Sequence, residues 1–149
     1  MKSLLFSPDV ALIRNSNAHA VMSVYPFTPQ MAINQSLINV SSVPVFTGVG
    51  GGTTSGERSI QLAFQSEQAR VFGVVVNSPM ENELIRQIAQ VVDVPVVATV
   101  SSEHDDDIGK LNAGANMLNV SGGANTITYS PPASADIFAE LMAKYRKKK

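Results

Sequence analysis

The chain has 149 residues, a length that fits one domain, and 44% of them are hydrophobic, so it can bury a core. Charged residues make up only 15%, and the net charge of −1 gives no field that would attract nucleic acid or an anionic membrane. The absence of cysteine excludes disulfides and thiolate chemistry. No uninterrupted apolar run reaches the roughly 18 residues of a membrane span, and Pro8 and Asp9 break the N-terminal run too early for a signal peptide. We therefore expect a cytoplasmic protein with a single domain over residues 1–149.

Short apolar runs rich in β-branched residues predict strands that are buried on both faces, as in a parallel sheet. In chain order these strands are Val10–Arg14, Ala20–Tyr25, Val43–Val49, Val71–Asn77, Val94–Ser101 and Asn116–Val120, while Thr126–Tyr129 stays open between strand and loop. Helical spacing and capping residues predict the helices Pro29–Asn39, Gly56–Arg70, Pro79–Val92, Glu103–Asn112 and Ser134–Arg146. The alternation of the two kinds of element predicts an α/β protein with a parallel sheet.

Pairs of a hydroxyl residue and proline recur at intervals of roughly 50 residues, at Thr28-Pro29, Ser78-Pro79 and Ser130-Pro131. Each pair predicts a helix start, because the hydroxyl can cap the helix and proline fits its first position. Two Val-Pro-Val segments, beginning at Val43 and Val94, recur at a similar interval. We interpret the pattern as a repeat of two units of about 50 residues.

The stretch GVGGGTTSGERS, from Gly48 to Ser59, follows a predicted strand and opens a predicted helix. A nucleoside-triphosphate loop would need lysine where Glu57 stands, and the dinucleotide fingerprint fails because Thr53 occupies its third glycine position. The stretch is either a mobile, neutral loop or a turn that contacts an anion or polar ligand through its backbone, with Thr54 or Ser55 capping the helix. On the second interpretation its binding residues are Gly50, Gly51, Gly52, Thr53, Thr54 and Ser55.

A second turn of this kind is NVSGGANT, Asn119 to Thr126. The segments ARVFGVVVNSP, VPVVATVSS and AGANMLNVSGGANT resemble consecutive units of the ribulose-phosphate-binding superfamily of TIM barrels. The segment DVALIRNSNAHAVMSVYPFTP resembles the start of glycerol-uptake-antiterminator-type barrels. The resemblance implies a phosphate site at the late strand ends, where Ser121, Gly122, Gly123 and Asn125 match the family turn.

The chain departs from that family in two ways. It is about two strands short of the eight in a closed barrel, and it lacks the strand-end lysine and carboxylates that many such enzymes use. We therefore expect TIM-barrel-like (β/α) repeats that form a short or incomplete barrel. The alternative, favoured by chain length, is an open, doubly wound parallel sheet.

Few side chains are candidates for chemistry. Arg14, at the end of the first predicted strand, could clamp a phosphate or carboxylate, or it could be an ordinary surface arginine. Asn77 and Asn119 end neighbouring strands and could either bind a ligand or turn the chain.

The densest polar cluster is SSEHDDD, Ser101 to Asp107. His104 and Asp105 are weak candidates for a general base, and the favoured alternative is a helix start capped by Ser101 or Ser102. Consecutive acidic residues on a helix point in different directions, so we expect no metal site, and no motif indicates a cofactor.

Taken together, the sequence predicts binding of a small phosphorylated metabolite, of the sugar-phosphate type, at the carboxyl ends of parallel strands. Lyase, isomerase or hydrolase chemistry on that metabolite would fit, but with no clear base the question of enzymatic activity stays open. The alternatives are a non-catalytic regulatory or sensor module of the antiterminator type, and a half-barrel completed by homodimerisation. Low surface charge and open strand edges predict a homo-oligomer, whereas a nucleic-acid partner is not expected.

Overall fold

A computed structural model of the chain describes residues 9–102, 105–121 and 127–129. Strands and helices alternate along these residues. The helices are α1 Asp9–Asn15, α2 Met31–Val40, α3 Glu57–Gln68, α4 Asn82–Val91 and α5 Asp107–Asn112. The strands are β1 Val21–Ser23, β2 Val45–Gly50, β3 Gly73–Val76, β4 Val96–Val100, β5 Met117–Val120 and β6 Ile127–Tyr129.

The strands form one sheet in the order β1-β2-β3-β4-β5-β6. Neighbouring strands from β1 to β5 are parallel, and β6 runs antiparallel to β5. A doubly wound sheet would reverse its strand order at a switch point, so the alternative of an open, doubly wound sheet is wrong. The sequential order confirms a TIM-barrel-like fold, in which the five parallel strands curl into a half-barrel.

Right-handed crossovers between sequential parallel strands place the connecting helices on one face of the sheet. Val74, Val76 and Ala98 point to that face and form a core with Ile85 and Ile88 of α4. Residues alternate along a strand, so their neighbours in sequence lie on the opposite face, which is the inner face of the curl. Valines on that face, Val75 and Val97, are also fully buried. The strands are therefore apolar on both sides, as the sequence predicts.

The structure confirms β1 to β5 as parallel strands in the regions predicted from the sequence. The two Val-Pro-Val segments lead directly into β2 and β4. The open segment Thr126–Tyr129 contains the strand β6. The predicted helix Ser134–Arg146 lies outside the described residues.

The first predicted strand is wrong, because Val10–Arg14 lies within the helix α1. Short apolar runs do not distinguish strand from helix by periodicity alone. The run contains alanine, leucine and arginine, which are strong helix formers. The Asn15 side chain donates a hydrogen bond of 2.8 Å to the Ala11 carbonyl within the same helix.

Two helices begin later than their hydroxyl–proline pairs predict. Helix α2 follows Gln30, whose N–H donates to the Tyr25 hydroxyl over 3.0 Å, and α4 follows Glu81. Neither of these N-cap side chains makes a capping hydrogen bond. The Ser78-Pro79 peptide is cis and lies in the loop before α4, so this pair does not start the helix.

Candidate functional site

The carboxyl ends of β1, β2 and β3 surround a cavity of about 450 Å³, here called the edge pocket. Its lining consists of Ser23, Val24, Tyr25, Pro26, Phe27, Pro29, Gly48, Gly50, Gly51, Gly52, Thr53, Thr54 and Asn77. Proteins built from parallel strands and helices bind their ligands at this edge. The edge pocket is therefore the candidate functional site, and it brings together the glycine-rich turn and Asn77, both of which the sequence singles out.

The glycine-rich turn is held on several sides. The Gly51 N–H donates to the Thr54 carbonyl over 2.7 Å, and the Gly52 N–H donates to the Pro79 carbonyl over 3.3 Å. The Asn77 N–H in turn donates to the Gly50 carbonyl over 2.8 Å. Two of the amides that could have bound an anion are thus already engaged. The Thr53 N–H has no acceptor among the residues that the structure describes.

Glycine is required at two positions of this turn by close contacts. A Cβ on Gly50 would overlap the Ser59 side chain and lie 2.7 Å from the Thr54 carbonyl oxygen. Gly51 has φ +122°, and a Cβ there would overlap the backbone of Asn77. The run of glycines therefore lets the turn pack tightly between α3 and the end of β3.

Helix α3 is not capped by Thr54 or Ser55 as predicted. Its N-cap is Gly56, at φ 66°, which supplies no side-chain hydrogen bond. The Ser59 hydroxyl donates to the Thr54 carbonyl over 3.1 Å, and the Thr54 hydroxyl donates to that of Thr28 over 3.3 Å. The hydroxyl of Thr54 therefore links two loops and does not cap α3.

A row of polar side chains continues from the edge pocket across the sheet. Asn77, Thr99 and Asn119 lie side by side at the ends of β3, β4 and β5, and we call them the polar row. Asn119 Nδ2 donates to Thr99 Oγ1, and Thr99 Oγ1 donates to Asn77 Oδ1, each over 3.4 Å. The row lies on the inner face of the curl, opposite the helices, because it alternates with Ala98 and Leu118 of the core.

The polar row leaves two hydrogen-bonding groups unused. Asn119 is only 7% exposed, and its Oδ1 atom is buried without a donor among the described residues. Asn77 Nδ2 has no acceptor there either. Buried amide oxygens are nearly always hydrogen-bonded, so an unused one indicates a position for a ligand or water. The sequence indicates both asparagines but not Thr99, whose only signal is a polar residue within the apolar strand VVATV.

The carboxylate of Asp105 is bound by the loop that precedes it. Its Oδ2 atom accepts hydrogen bonds from the N–H groups of Ser101 and Ser102 and from the Ser101 hydroxyl, over 2.6, 3.2 and 3.2 Å. The Ser101 N–H lowers the pKa of Asp105 most, with smaller lowering from Ser102, the Ser101 hydroxyl and the charge of Lys110, against an opposing effect of burial. A carboxylate with a lowered pKa is a weak general base.

The capping prediction for this region is wrong as well. Helix α5 begins at Asp107, and its N-cap is Asp106, whose Oδ1 accepts a hydrogen bond of 2.8 Å from the Gly109 N–H. Ser101 and Ser102 precede the helix, and their backbone amides are themselves bound by Asp105. The other weak candidate for a base, His104, lies outside the described residues.

Arg14 is not at a strand end. It lies in the last turn of α1, is exposed, and its Nη1 atom lies 3.5 Å from the carbonyl oxygen of Val40, at the last residue of α2. Helix α2 runs from the end of β1 to the start of β2, so Val40 and Arg14 belong to the amino edge of the sheet. The geometry therefore separates Arg14 from the edge pocket.

Ser121 directly follows β5 at the carboxyl edge, and its N–H donates to the Val100 carbonyl over 2.7 Å. The remaining residues of the second predicted phosphate turn, Gly122, Gly123 and Asn125, lie outside the described residues. Within the described ranges, no group of three or more histidine, aspartate or glutamate residues could hold a metal ion. Across the same ranges, no helix is both long and apolar enough to span a membrane.

Comparison with known proteins gives a match at the level of fold. No protein-family model matches the chain, and no curated protein matches it. Among solved structures, a dihydrodipicolinate synthase from Agrobacterium tumefaciens is similar, with 12% sequence identity and a TM-score of 0.61, over 90% of this chain and 50% of that one. An N-acetylneuraminate lyase from Mycoplasma synoviae has 15% identity and a TM-score of 0.56, over 92% of this chain and 51% of that one.

A dihydrodipicolinate synthase from Bacillus clausii is similar too, with 11% identity and a TM-score of 0.61, over 77% of this chain and 45% of that one. The chain therefore spans about half the length of these solved structures. The similarity supports a TIM-barrel-like fold. Membership of the ribulose-phosphate-binding superfamily stays a prediction.

Proposed function

We propose that the edge pocket and the polar row bind a small, hydroxyl-rich phosphorylated metabolite of the sugar-phosphate type, and that the chain serves lyase-type chemistry on it. The observation that carries the proposal is the polar row, with its buried and unused Asn119 Oδ1. The row lies at the edge of the sheet where this class of fold places its ligands.

The polar row suits the uncharged part of such a ligand. Asn77 Nδ2 offers a donor and Asn119 Oδ1 offers an acceptor, and a ligand hydroxyl can satisfy either. Their strands are two apart in the sheet, so the two groups are separated by roughly 10 Å. A chain of several hydroxylated carbons, rather than a single small anion, spans that distance.

The glycine-rich turn suits the phosphate. The Thr53 N–H and hydroxyl line the edge pocket without a partner among the described residues, and the Thr54 hydroxyl lies beside them. Backbone amides and hydroxyls of this kind hold phosphate without a lysine. Since the amides of Gly51 and Gly52 are engaged and the Thr54 hydroxyl donates to Thr28, we assign the phosphate contacts to the N–H and hydroxyl of Thr53.

The names of the similar solved structures favour lyase-type chemistry, since one of them is a lyase and others are synthases. Because those chains are about twice as long as this one, the reaction of the whole enzyme is a proposal here. The two named compounds, dihydrodipicolinate and N-acetylneuraminate, are carboxylates without phosphate. They therefore provide a contrast with sugar phosphates in a binding experiment.

The experiment is a thermal-shift titration of the chain with ribulose 5-phosphate, inorganic phosphate and N-acetylneuraminate. A ligand that binds the native state raises the melting temperature by mass action. We expect the sugar phosphate to raise it, and the change Asn119→Val to remove most of that rise. Arg14→Ala, at the opposite edge, is the control and keeps the rise. No rise with any of the three compounds would contradict the proposal. A rise with N-acetylneuraminate alone would support the proposed site but would show that it binds a carboxylate rather than a phosphate.

A second candidate function is a non-catalytic sensor that uses the same pocket. Two observations favour it. No lysine directly follows a parallel strand in the described part of the chain, and the Asp105 carboxylate accepts a hydrogen bond from the backbone of its own loop. Mass spectrometry of the bound compound distinguishes the two functions. A lyase yields cleaved products over hours of incubation, whereas a sensor returns the compound intact.

Homo-oligomerisation is a further part of the proposal. The chain carries few charges, and exposed apolar side chains such as Leu12, Phe27 and Phe72 are available for subunit contacts. Native mass spectrometry tests this, and a monomer at all accessible concentrations would contradict it. A cytoplasmic location stays a prediction from the sequence.

A further inference from the structure

A second cavity, of about 590 Å³, lies on the other side of the Gly52 backbone, and we call it the outer pocket. The N-terminal ends of two helices line it, with Gly56 at the start of α3 and Glu81 at the start of α4. The side chain of Lys110, from α5, lines it as well. Apart from Gly52, its lining does not overlap with that of the edge pocket.

Lys110 is a buried charge with too few partners. The residue is only 6% exposed, and its Nζ atom donates one hydrogen bond, of 3.2 Å, to the Met80 carbonyl. An ammonium group has three donors, and lysine is almost never fully buried unless its charge is paired. The ion pair found among the described residues joins Arg86 and Glu83, on the surface of α4, so no described carboxylate lies within 4.0 Å of Lys110 Nζ.

Asp105 does not serve as the missing partner. The positive charge of Lys110 contributes to the lowered pKa of Asp105. The Oδ2 atom of Asp105, however, already accepts hydrogen bonds from Ser101 and Ser102. Glu81 and Glu83 also line the pocket, yet both are exposed, so solvent screens their charges. Asp105 lines the pocket too, so its lining carries three carboxylates, and Lys110 is the one cation and the one fully buried charge among its lining residues.

The start of α3 adds to this positive character. The N–H groups of Glu57 and Arg58 have no acceptor in the part of the chain that the structure describes, and Gly56 provides no side chain to cap them. Unsatisfied amides at the N-terminus of a helix attract negative charge. Of this helix start, Gly56 lines the outer pocket, whereas Glu57 and Arg58 follow it in the chain and are not among the lining residues.

We propose that the outer pocket is a second binding site, for a small anion that carries a carboxylate or phosphate group, and that Lys110 pairs with it. This site is separate from the one assigned to the sugar phosphate and does not rest on it.

The test uses backbone NMR of the full chain, titrated with acetate or inorganic phosphate against sodium chloride of equal ionic strength. We expect the amide signals of Gly56 and Leu84, which line the outer pocket only, to shift with one of the two anions and not with chloride. At ten times the dissociation constant the melting temperature should rise by about 3–5 °C. The anion that produces the shift distinguishes carboxylate from phosphate as the ligand group.

Two variants complete the test. Lys110→Met removes the charge, keeps an apolar side chain, and should abolish both the signal shifts and the rise in melting temperature. Arg14→Met removes the same charge from an exposed position at the amino edge and should keep both. Shifts that persist in Lys110→Met, or that equal those in chloride, would overturn the proposal. Should Lys110→Met fail to fold, the wild-type titration decides alone, because unchanged signals at Gly56 and Leu84 overturn it equally.

Discussion

The two pockets on either side of Gly52 differ in the kind of polar group that they contain. In the edge pocket and its polar row, neutral amides and hydroxyls bind one another and leave a donor and an acceptor unused. In the outer pocket a single buried ammonium has one neutral acceptor. The first arrangement suits hydroxyl groups and the second suits a negative charge. One glycine-rich turn therefore separates two environments with different ligand preferences.

The largest expected effect concerns the turn itself. Gly51→Ala should lower the free energy of unfolding by about 3 kcal/mol, because it combines positive φ with overlap against the Asn77 backbone. Gly52→Ala is the matched variant: Gly52 also has positive φ, at 65°, but nothing lies within 4 Å of its Cβ position. We expect a cost of about 1 kcal/mol there. Urea denaturation measures both, and equal losses would show that the contact with Asn77 is unimportant.

A change in the polar row should separate binding from stability. Asn119→Val removes a buried acceptor that has no donor, which offsets the loss of the long hydrogen bond from Asn119 to Thr99, while Thr99 keeps its bond to Asn77. We expect the free energy of unfolding to change by less than about 0.5 kcal/mol. Ligand affinity in the thermal-shift titration should fall roughly tenfold, the equivalent of one lost hydrogen bond. A large loss of stability with unchanged affinity would assign the row to folding alone.

Asp105→Asn should change the acid stability of the loop between β4 and α5, which lines the outer pocket. The pKa of Asp105 lies below its usual 3.8 in the folded chain, so its stabilising effect is present above that pH. The effect is lost as the pH falls through the lower, folded value. We expect the variant to melt below the wild type at pH 6 and to approach it as the pH falls below about 3.8. Thermal melts across this range measure the difference, and a constant difference would contradict the assignment.

The smallest effect is expected at Arg14, which contacts neither pocket. Arg14→Ala removes one exposed side chain with a single long contact to the Val40 carbonyl. The free energy of unfolding should change by no more than about 0.5 kcal/mol, and anion binding should be unchanged. A clear loss of binding to either pocket would mean that the amino edge takes part in recognition.

The sequence predicts those parts of the fold that depend on local composition. Valine-rich runs identify β2, β3 and β4, since β-branched residues are enriched in buried strands. The run Val10–Arg14 misleads because its composition also fits a helix, and only packing decides between the two. The predicted N-cap of α5 is wrong for another reason. The loop before this helix contains four good capping residues, and its conformation places Asp106 at the N-cap; the other three are Ser101, Ser102 and Asp105.

The site is predictable only in part. Glycines and asparagines at strand ends are visible in the sequence. The glycines of the turn and Asn77 do meet at the edge pocket, whereas Asn119 lies farther along the polar row. Lys110 is not visible, because nothing near it in the sequence indicates that α5 will turn its side chain toward the loop before α4. Its burial results from contacts between residues 30 positions apart along the chain. Charges of this kind are found from coordinates rather than from spacing.

The antiparallel strand β6 limits how the sheet can close. In a closed ring of strands, a change of direction between neighbours must be matched by another elsewhere, because the ring returns to its starting strand. The pairing of β5 with β6 is one such change. Any barrel that includes this sheet, whether from one chain or from two, therefore contains an even number of reversals. It cannot have the uniform direction of an eight-stranded parallel barrel while that pairing is kept.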